Sequence, residues 1–78
     1  MSEQFIWLGV YEHRHGTDIS VYATEAAAQA GREAVAHEMW ENELPDEPMP
    51  DTDVADAYFD LMAERGEWFE IRVVPVLR

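Results

Sequence analysis

Between Arg32 and Arg65 the chain carries eleven acidic residues and no Lys or Arg. The acids are Glu33, Glu38, Glu41, Glu43, Asp46, Glu47, Asp51, Asp53, Asp56, Asp60 and Glu64. A run this one-sided repels itself, and the repulsion opposes any compact state. It must be offset by a good core elsewhere, or be used by a function that exploits the field. Material for a core is present. Apolar residues make up 47% of the chain, and three Trp, three Tyr and three Phe are spread through seventy-eight residues. That is a globular composition, not a disordered one. The length predicts one domain, residues 1–78, with a modest core.

The charge sets the class of partner. The formal net charge is −12, with seventeen acids, five Arg and no Lys. Such a chain repels free nucleic acid and anionic membranes, and attracts basic protein surfaces. Cysteine is absent, which excludes disulfides and thiolate metal sites. Met1 to Phe5 carry no basic residue, and no apolar run approaches the ~20 residues of a membrane span. The expected location is the cytoplasm.

Phe5 to Tyr11 is rich in aromatic and branched residues and reads as a strand. His13-Arg14-His15-Gly16-Thr17 follows as a turn, with Gly16 free to take a positive φ. Asp18 to Ala23 completes a β-hairpin. Thr24 is a good N-cap for a helix running on to Asn42, with Glu25 in its first turn. On that helix Ala28, Gly31, Val35 and Met39 share one face. Pro45, Pro48 and Pro50 stop it and favour an extended connection. A second helix starts near Asp51 or Thr52, either of which can cap it. Its apolar face carries Val54, Tyr58, Leu61 and Met62, with Phe59 alongside. Gly66 suits the residue just past its end. Trp68 to Leu77 reads as a third strand, and Pro75 marks an edge position or a strand end. The order β-β-α-α-β predicts an α+β fold. It is a two-layer sandwich, a three-stranded sheet in order 2-1-3 with two helices on one face. The direction of the third strand is left open.

Strand alternation separates two sheet faces. Ile6, Leu8 and Val10, then Ile19, Val21 and Ala23, then Phe69, Ile71 and Val73 are expected beneath the helices. The opposite face would hold Phe5, Trp7, Tyr11 and His13, then Ser20 and Tyr22, then Trp68, Glu70 and Arg72. Two readings of that aromatic set stand open. Arg72, other long side chains or a loop cover the rings, or Trp7, Tyr11 and Tyr22 form a contact patch for a partner or a second copy. Aromatic sheet faces also bind single-stranded nucleic acid, but the missing basic charge argues against direct binding here.

Little points to catalysis or a cofactor. His13 and His15, with Glu12 and Asp18 nearby, hold part of a Zn²⁺ or Ni²⁺ ligand set, but further ligands are unspecified and a polar turn explains them as well. His37 lies four residues from Glu33 and Glu41, a plain surface pairing. The segment from Asp46 to Asp53 lacks the Gly of a calcium loop. There is no Gly-rich phosphate loop and no nucleophile with a matched base. The expectation is a non-enzymatic protein without metal or cofactor.

The acids themselves offer a use. Nucleic-acid binders present clustered Lys and Arg. A folded protein presenting Glu38, Glu41, Glu43, Asp46 and Glu47, then Asp53, Asp56 and Asp60, can occupy such a basic groove. The alternative is a solvated, solubilising surface. The segment Tyr11-Glu12-His13-Arg14-His15-Gly16-Thr17-Asp18, followed by Val21-Tyr22-Ala23-Thr24-Glu25-Ala26-Ala27, resembles the start of small acidic proteins carried by phages and other mobile elements. The anti-CRISPR proteins are similar in size and charge. That resemblance implies an accessory protein that inhibits host nucleic-acid machinery, and it carries over no functional residues. The expected function is an acidic inhibitor, of anti-CRISPR or DNA-mimic type. It would bind the basic nucleic-acid-binding surface of a host complex, and touch neither nucleic acid nor membrane itself. An interaction module that dimerises or binds through the aromatic sheet face is the alternative.

Overall fold

A two-residue turn at Arg14 and His15 folds the first third of the chain back on itself. In a computed structural model, which describes residues 4–77, β1 (Phe5–His13) and β2 (Gly16–Tyr22) pair antiparallel from His13 opposite Gly16 to Trp7 opposite Tyr22. Residues 1–3, where the expectation about a leader segment mostly falls, and residue 78 lie outside the described range. Gly16 has a φ of +129°, open to glycine and closed to most other residues. The helix α1 (Glu25–Glu43) begins where expected, with the Thr24 hydroxyl accepting from the Ala27 N–H at 3.0 Å. After the proline segment comes α2 (Val54–Met62), then a single 3-10 turn at Ala63–Arg65. Gly66 closes that turn at a φ of +76°. The strand β3 (Trp68–Pro75) returns antiparallel along the free edge of β1. The fold is α+β, with strand order β2-β1-β3.

The second helix departs from expectation at its start. It begins at Val54, and neither Asp51 nor Thr52 caps it. The residue before it, Asp53, is left-handed (φ 54°) and makes no capping bond with its side chain. The cap comes from α1 instead. Glu33 Oε2 accepts from the Ala55 N–H at 3.2 Å, which satisfies one free donor and sets negative charge at the positive end of α2.

The helices cover the sheet face opposite to the one expected. Paired residues on antiparallel strands share a face. The register sets Tyr11 beside Phe69, Gly9 between Ser20 and Ile71, and Trp7 between Tyr22 and Val73. This set faces the helices, because Tyr11 and Phe69 pack on the buried cluster of Ala36, Trp40, Leu44, Val54, Ala55, Tyr58, Phe59 and Met62. Ile6, Leu8, Val10, Ile19 and Val21 therefore lie on the uncovered face, where Ile19 and Val21 are each 63% exposed. Ala23 lies past the end of β2 and is also exposed. For β3 the expected face is right, although Val73 extends past the helices and is half exposed.

Two glycines explain the choice. The Tyr22 ring runs from Gly9 in β1 to Gly31 in α1. A Cβ on Gly9 would meet Phe69 at 2.7 Å and Tyr22 at 3.0 Å, and one on Gly31 would meet the Tyr22 hydroxyl at 2.2 Å. The odd-numbered face of β1 thus has a hole that two rings fill, and α1 lies close over it. The even-numbered face has no such hole. The core is completed by edge-on aromatic contacts, with Tyr58 and Phe59 centroids 5.0 Å apart and Tyr11 and Phe59 6.0 Å apart. Within α2, Leu61 is 41% exposed, not core as its spacing suggested, while Met62 is fully buried.

Thermal melts test both points. Met62→Ala should cost ~2–5 kcal/mol, whereas Leu61→Ala should cost less than ~1 kcal/mol. Gly31→Ala improves helix propensity by ~1 kcal/mol and should nevertheless destabilise, because α1 must lift off Tyr22. In a Tyr22→Leu background the same change should become neutral or stabilising. A Gly31→Ala variant that melts above the wild type would show that the seat of Tyr22 is looser than its geometry implies.

Candidate functional site

The acids of the run divide into those that brace the fold and those that face water. Glu43, at the last turn of α1, is buried, and its carboxylate meets Arg14 at 3.3 Å and Arg65 at 3.6 Å. These two arginines come from the hairpin turn and from the end of the 3-10 turn, so one carboxylate ties three elements together. Arg32 reaches Asp56 at 2.8 Å and lies 5.3 Å from the centre of the Phe59 ring, joining α1 to α2. Arg72 pairs with Glu70 within β3 at 2.7 Å. All four arginines of the described residues are thus committed to Glu43, Asp56 and Glu70. The cations that bracket the run in sequence fold back into it and hold the frame.

The remaining acids have no such partner among the described residues. Glu38 and Glu41 are exposed on α1, Asp46 and Glu47 on the connection, and Asp53 and Asp60 at and along α2. On α2, Asp56 and Asp60 stand at four-residue spacing on one ridge, and Glu64 follows in the 3-10 turn. Of the residues expected to bind a partner, six acids are therefore free, Asp56 is shared with Arg32, and Glu43 is removed from the surface. Glu43 was unreadable as a buried residue because its two arginines lie far from it in sequence.

The connection is held against α1. The Trp40 indole N–H donates to the Glu47 carbonyl at 2.8 Å, and the Leu44 N–H donates to the Trp40 carbonyl at 2.7 Å. Trp40, Leu44, Pro45, Glu47 and Met49, with Glu41 at the rim, enclose an open groove of about 400 Å³. This anchor holds Glu47 at the groove that Glu41 also lines. Glu38, Glu41 and Asp60 of the acidic surface are thus carried on helices, and Glu47 on a connection anchored to α1.

The aromatic residues proposed as a contact patch are placed differently. Tyr11 is part of the core, Tyr22 is seated between Gly9 and Gly31, and Trp7 shares their helix-side face, half-buried. None of the three lies on the uncovered face. That face holds Trp68, Glu70 and Arg72 as expected, and with them the aliphatic set of β1 and β2.

The hairpin tip forms a local polar cluster. His13 Nε2 lies 2.8 Å from Asp18, and His13 Nδ1 accepts from the His15 N–H at 3.2 Å. Among the described residues no group of three His, Cys, Asp or Glu side chains is gathered as a metal centre would need. Both histidine nitrogens of His13 are engaged by its own turn. Among the described residues no helix is long and apolar enough to cross a membrane.

No protein-family model matches the chain, and no curated protein or solved structure is significantly similar to it.

The Tyr58 hydroxyl is buried close to that of Tyr11, but makes no well-formed hydrogen bond among the described residues. Burial first, then the nearby Tyr11, Glu67 and Glu43, holds its phenol protonated well above the ordinary tyrosine range. Burial likewise raises Tyr11, helped by the Glu67 charge. A phenol raised in the folded state adds stability that is complete below its unfolded pKa of 10.0 and is lost as pH rises toward the folded value. Tyr58→Phe removes both the poorly bonded hydroxyl and the ionisation. It should melt no lower than wild type at neutral pH, by up to ~1 kcal/mol of added stability. It should also lose less stability above pH ~10. Parallel alkaline melting curves for the two proteins would disprove this account of Tyr58.

Proposed function

We propose that the chain is a non-enzymatic, acidic binding protein whose helical surface engages a basic protein groove, and that it inhibits the nucleic-acid machinery of its host by occupying that groove. The observation that carries the reading is the spending of cations. Every described arginine is tied to Glu43, Asp56 or Glu70, so the field of Glu38, Glu41, Asp46, Glu47, Asp53 and Asp60 is not neutralised from within. At physiological salt exposed charges act over ~8 Å, and acids three or four residues apart on one helix lie within that range and sum. A surface of this sign is what the Lys and Arg of a DNA- or RNA-binding groove attract. The partner is thus a basic, nucleic-acid-binding protein met in the cytoplasm, and the mode of action is of the anti-CRISPR or DNA-mimic type.

Such a field accelerates association more than it tightens the final complex. The test replaces free acids only: Glu38→Gln, Glu41→Gln, Asp46→Asn and Glu47→Gln together, leaving Glu43 in its arginine pair. Immobilised wild-type chain should capture basic nucleic-acid-binding proteins from nuclease-treated host lysate. The captured partner should lose affinity as salt rises from ~50 to ~500 mM, and nucleic acid should compete with the chain for it. The fourfold variant should associate at least about tenfold more slowly. Capture that neither salt nor the variant weakens would reduce the acids to a solubilising surface.

A further inference from the structure

We propose that the uncovered face of the sheet is a homodimer interface, on which a second copy of this chain packs sheet to sheet. The proposal does not depend on the role of the acidic helices. Six aliphatic side chains form the face: Ile6, Leu8 and Val10 along the central strand, Ile19 and Val21 on β2, and Val74 on β3. Ile19 and Val21 are each 63% exposed, and Trp68 at the end of the same face is 49% exposed. An antiparallel sheet that keeps one face in water normally makes that face polar. A contiguous apolar patch of this kind marks a contact surface.

The size of the face suits a dimer. Three strands spaced ~4.8 Å apart and about eight residues long give a footprint of roughly 14 by 27 Å. That is about 380 Å² in projection on each copy, the scale of a weak, reversible interface. Two twisted sheets packed face to face at ~10 Å also form a regular sandwich.

Charge selects a second copy as the occupant. A chain of net charge −12 resists self-association in nearly every orientation. Sheet-to-sheet packing is the exception. It stacks helices, sheet, sheet and helices, so the two acidic surfaces point away from each other. They then lie roughly 30 Å apart, several screening lengths at physiological salt. The face itself is nearly neutral. Its described charges are Glu12 at one end and the Glu70–Arg72 pair on β3, whose members cancel at 2.7 Å. A basic partner is drawn to the helical side and has no charge to meet here.

Sedimentation equilibrium of the full chain, from low micromolar to near-millimolar concentration at physiological salt, tests the proposal. Wild type should follow a monomer–dimer equilibrium. Val21→Asp and Ile19→Asp each place an unpaired charge on the face, and each should raise the dissociation constant at least about a hundredfold. The fourfold acid-neutralised variant should keep the dimer, which separates this interface from the helical surface. A wild type that stays monomeric overturns the proposal. So does self-association that both substitutions leave intact, the result expected of pairing along the edges of β2 or β3. If either substitution prevents folding, methyl NMR of the wild-type chain decides. On concentration the Ile19 and Val21 methyl signals should shift while those of Leu61, exposed on α2, stay fixed, and the reverse pattern overturns the assignment.

Discussion

The seating of Tyr22 between two glycines is the constraint from which the rest of the structure follows. Gly9 leaves a hole in the odd-numbered face of β1, and Gly31 leaves one in the underside of α1. One ring from β2 fills both, and Phe69 from β3 shares the first. Helix and sheet approach closely only where side chains are missing. Once α1 sits there, the odd-numbered face of β1 is the core face. Tyr11 and Phe69 then meet Phe59 of α2, and the even-numbered aliphatic face is left without a cover.

The same arrangement sorts charge into three zones. Inside the frame, Arg14 and Arg65 converge on Glu43, and Arg32 spans from α1 to Asp56. A buried carboxylate held by two cations is tolerable, whereas one held by none would not be. On the outer surface of the helices the remaining acids have no arginine partner among the described residues. On the open sheet face charge is nearly absent. A chain whose cations are this few can neutralise only a few acids, and it spends them where elements must be joined. The consequence is an outer surface more negative, residue for residue, than the composition alone conveys, and a second surface on which self-repulsion is weakest.

Backbone supply and demand at the second helix shows how far the elements depend on each other. Proline-rich chain delivers α2 with Asp53 in a left-handed conformation and no cap of its own. Glu33, the residue next to Arg32 on α1, supplies the acceptor for the Ala55 N–H. Neighbouring residues of α1 therefore hold α2 twice, by a cap and by an ion pair. The acidic run is not merely surface: Glu33, Glu43 and Asp56 fix the relative placement of the helices that display the others.

Much of this was legible in the amino-acid sequence. Turn chemistry at Gly16, the Thr24 cap, the proline segment and Gly66 each act through a few adjacent residues, so local pattern fixed the element order and, with β-branched runs, the α+β class and strand order. The free acids were legible for the same reason, as residues on the proline-rich connection or on helices whose apolar positions lie elsewhere. Which face of the sheet meets the helices was not, because both faces of β1 are apolar and alternation distinguishes faces without ranking them. Strand register and the Gly9–Tyr22–Gly31 stack decided that, and both are contacts between distant segments. Burial of Glu43 and the exposure of Leu61 were likewise tertiary outcomes. The first depends on where Arg14 and Arg65 arrive, and the second on how α2 is rotated by packing Tyr58, Phe59 and Met62 at once.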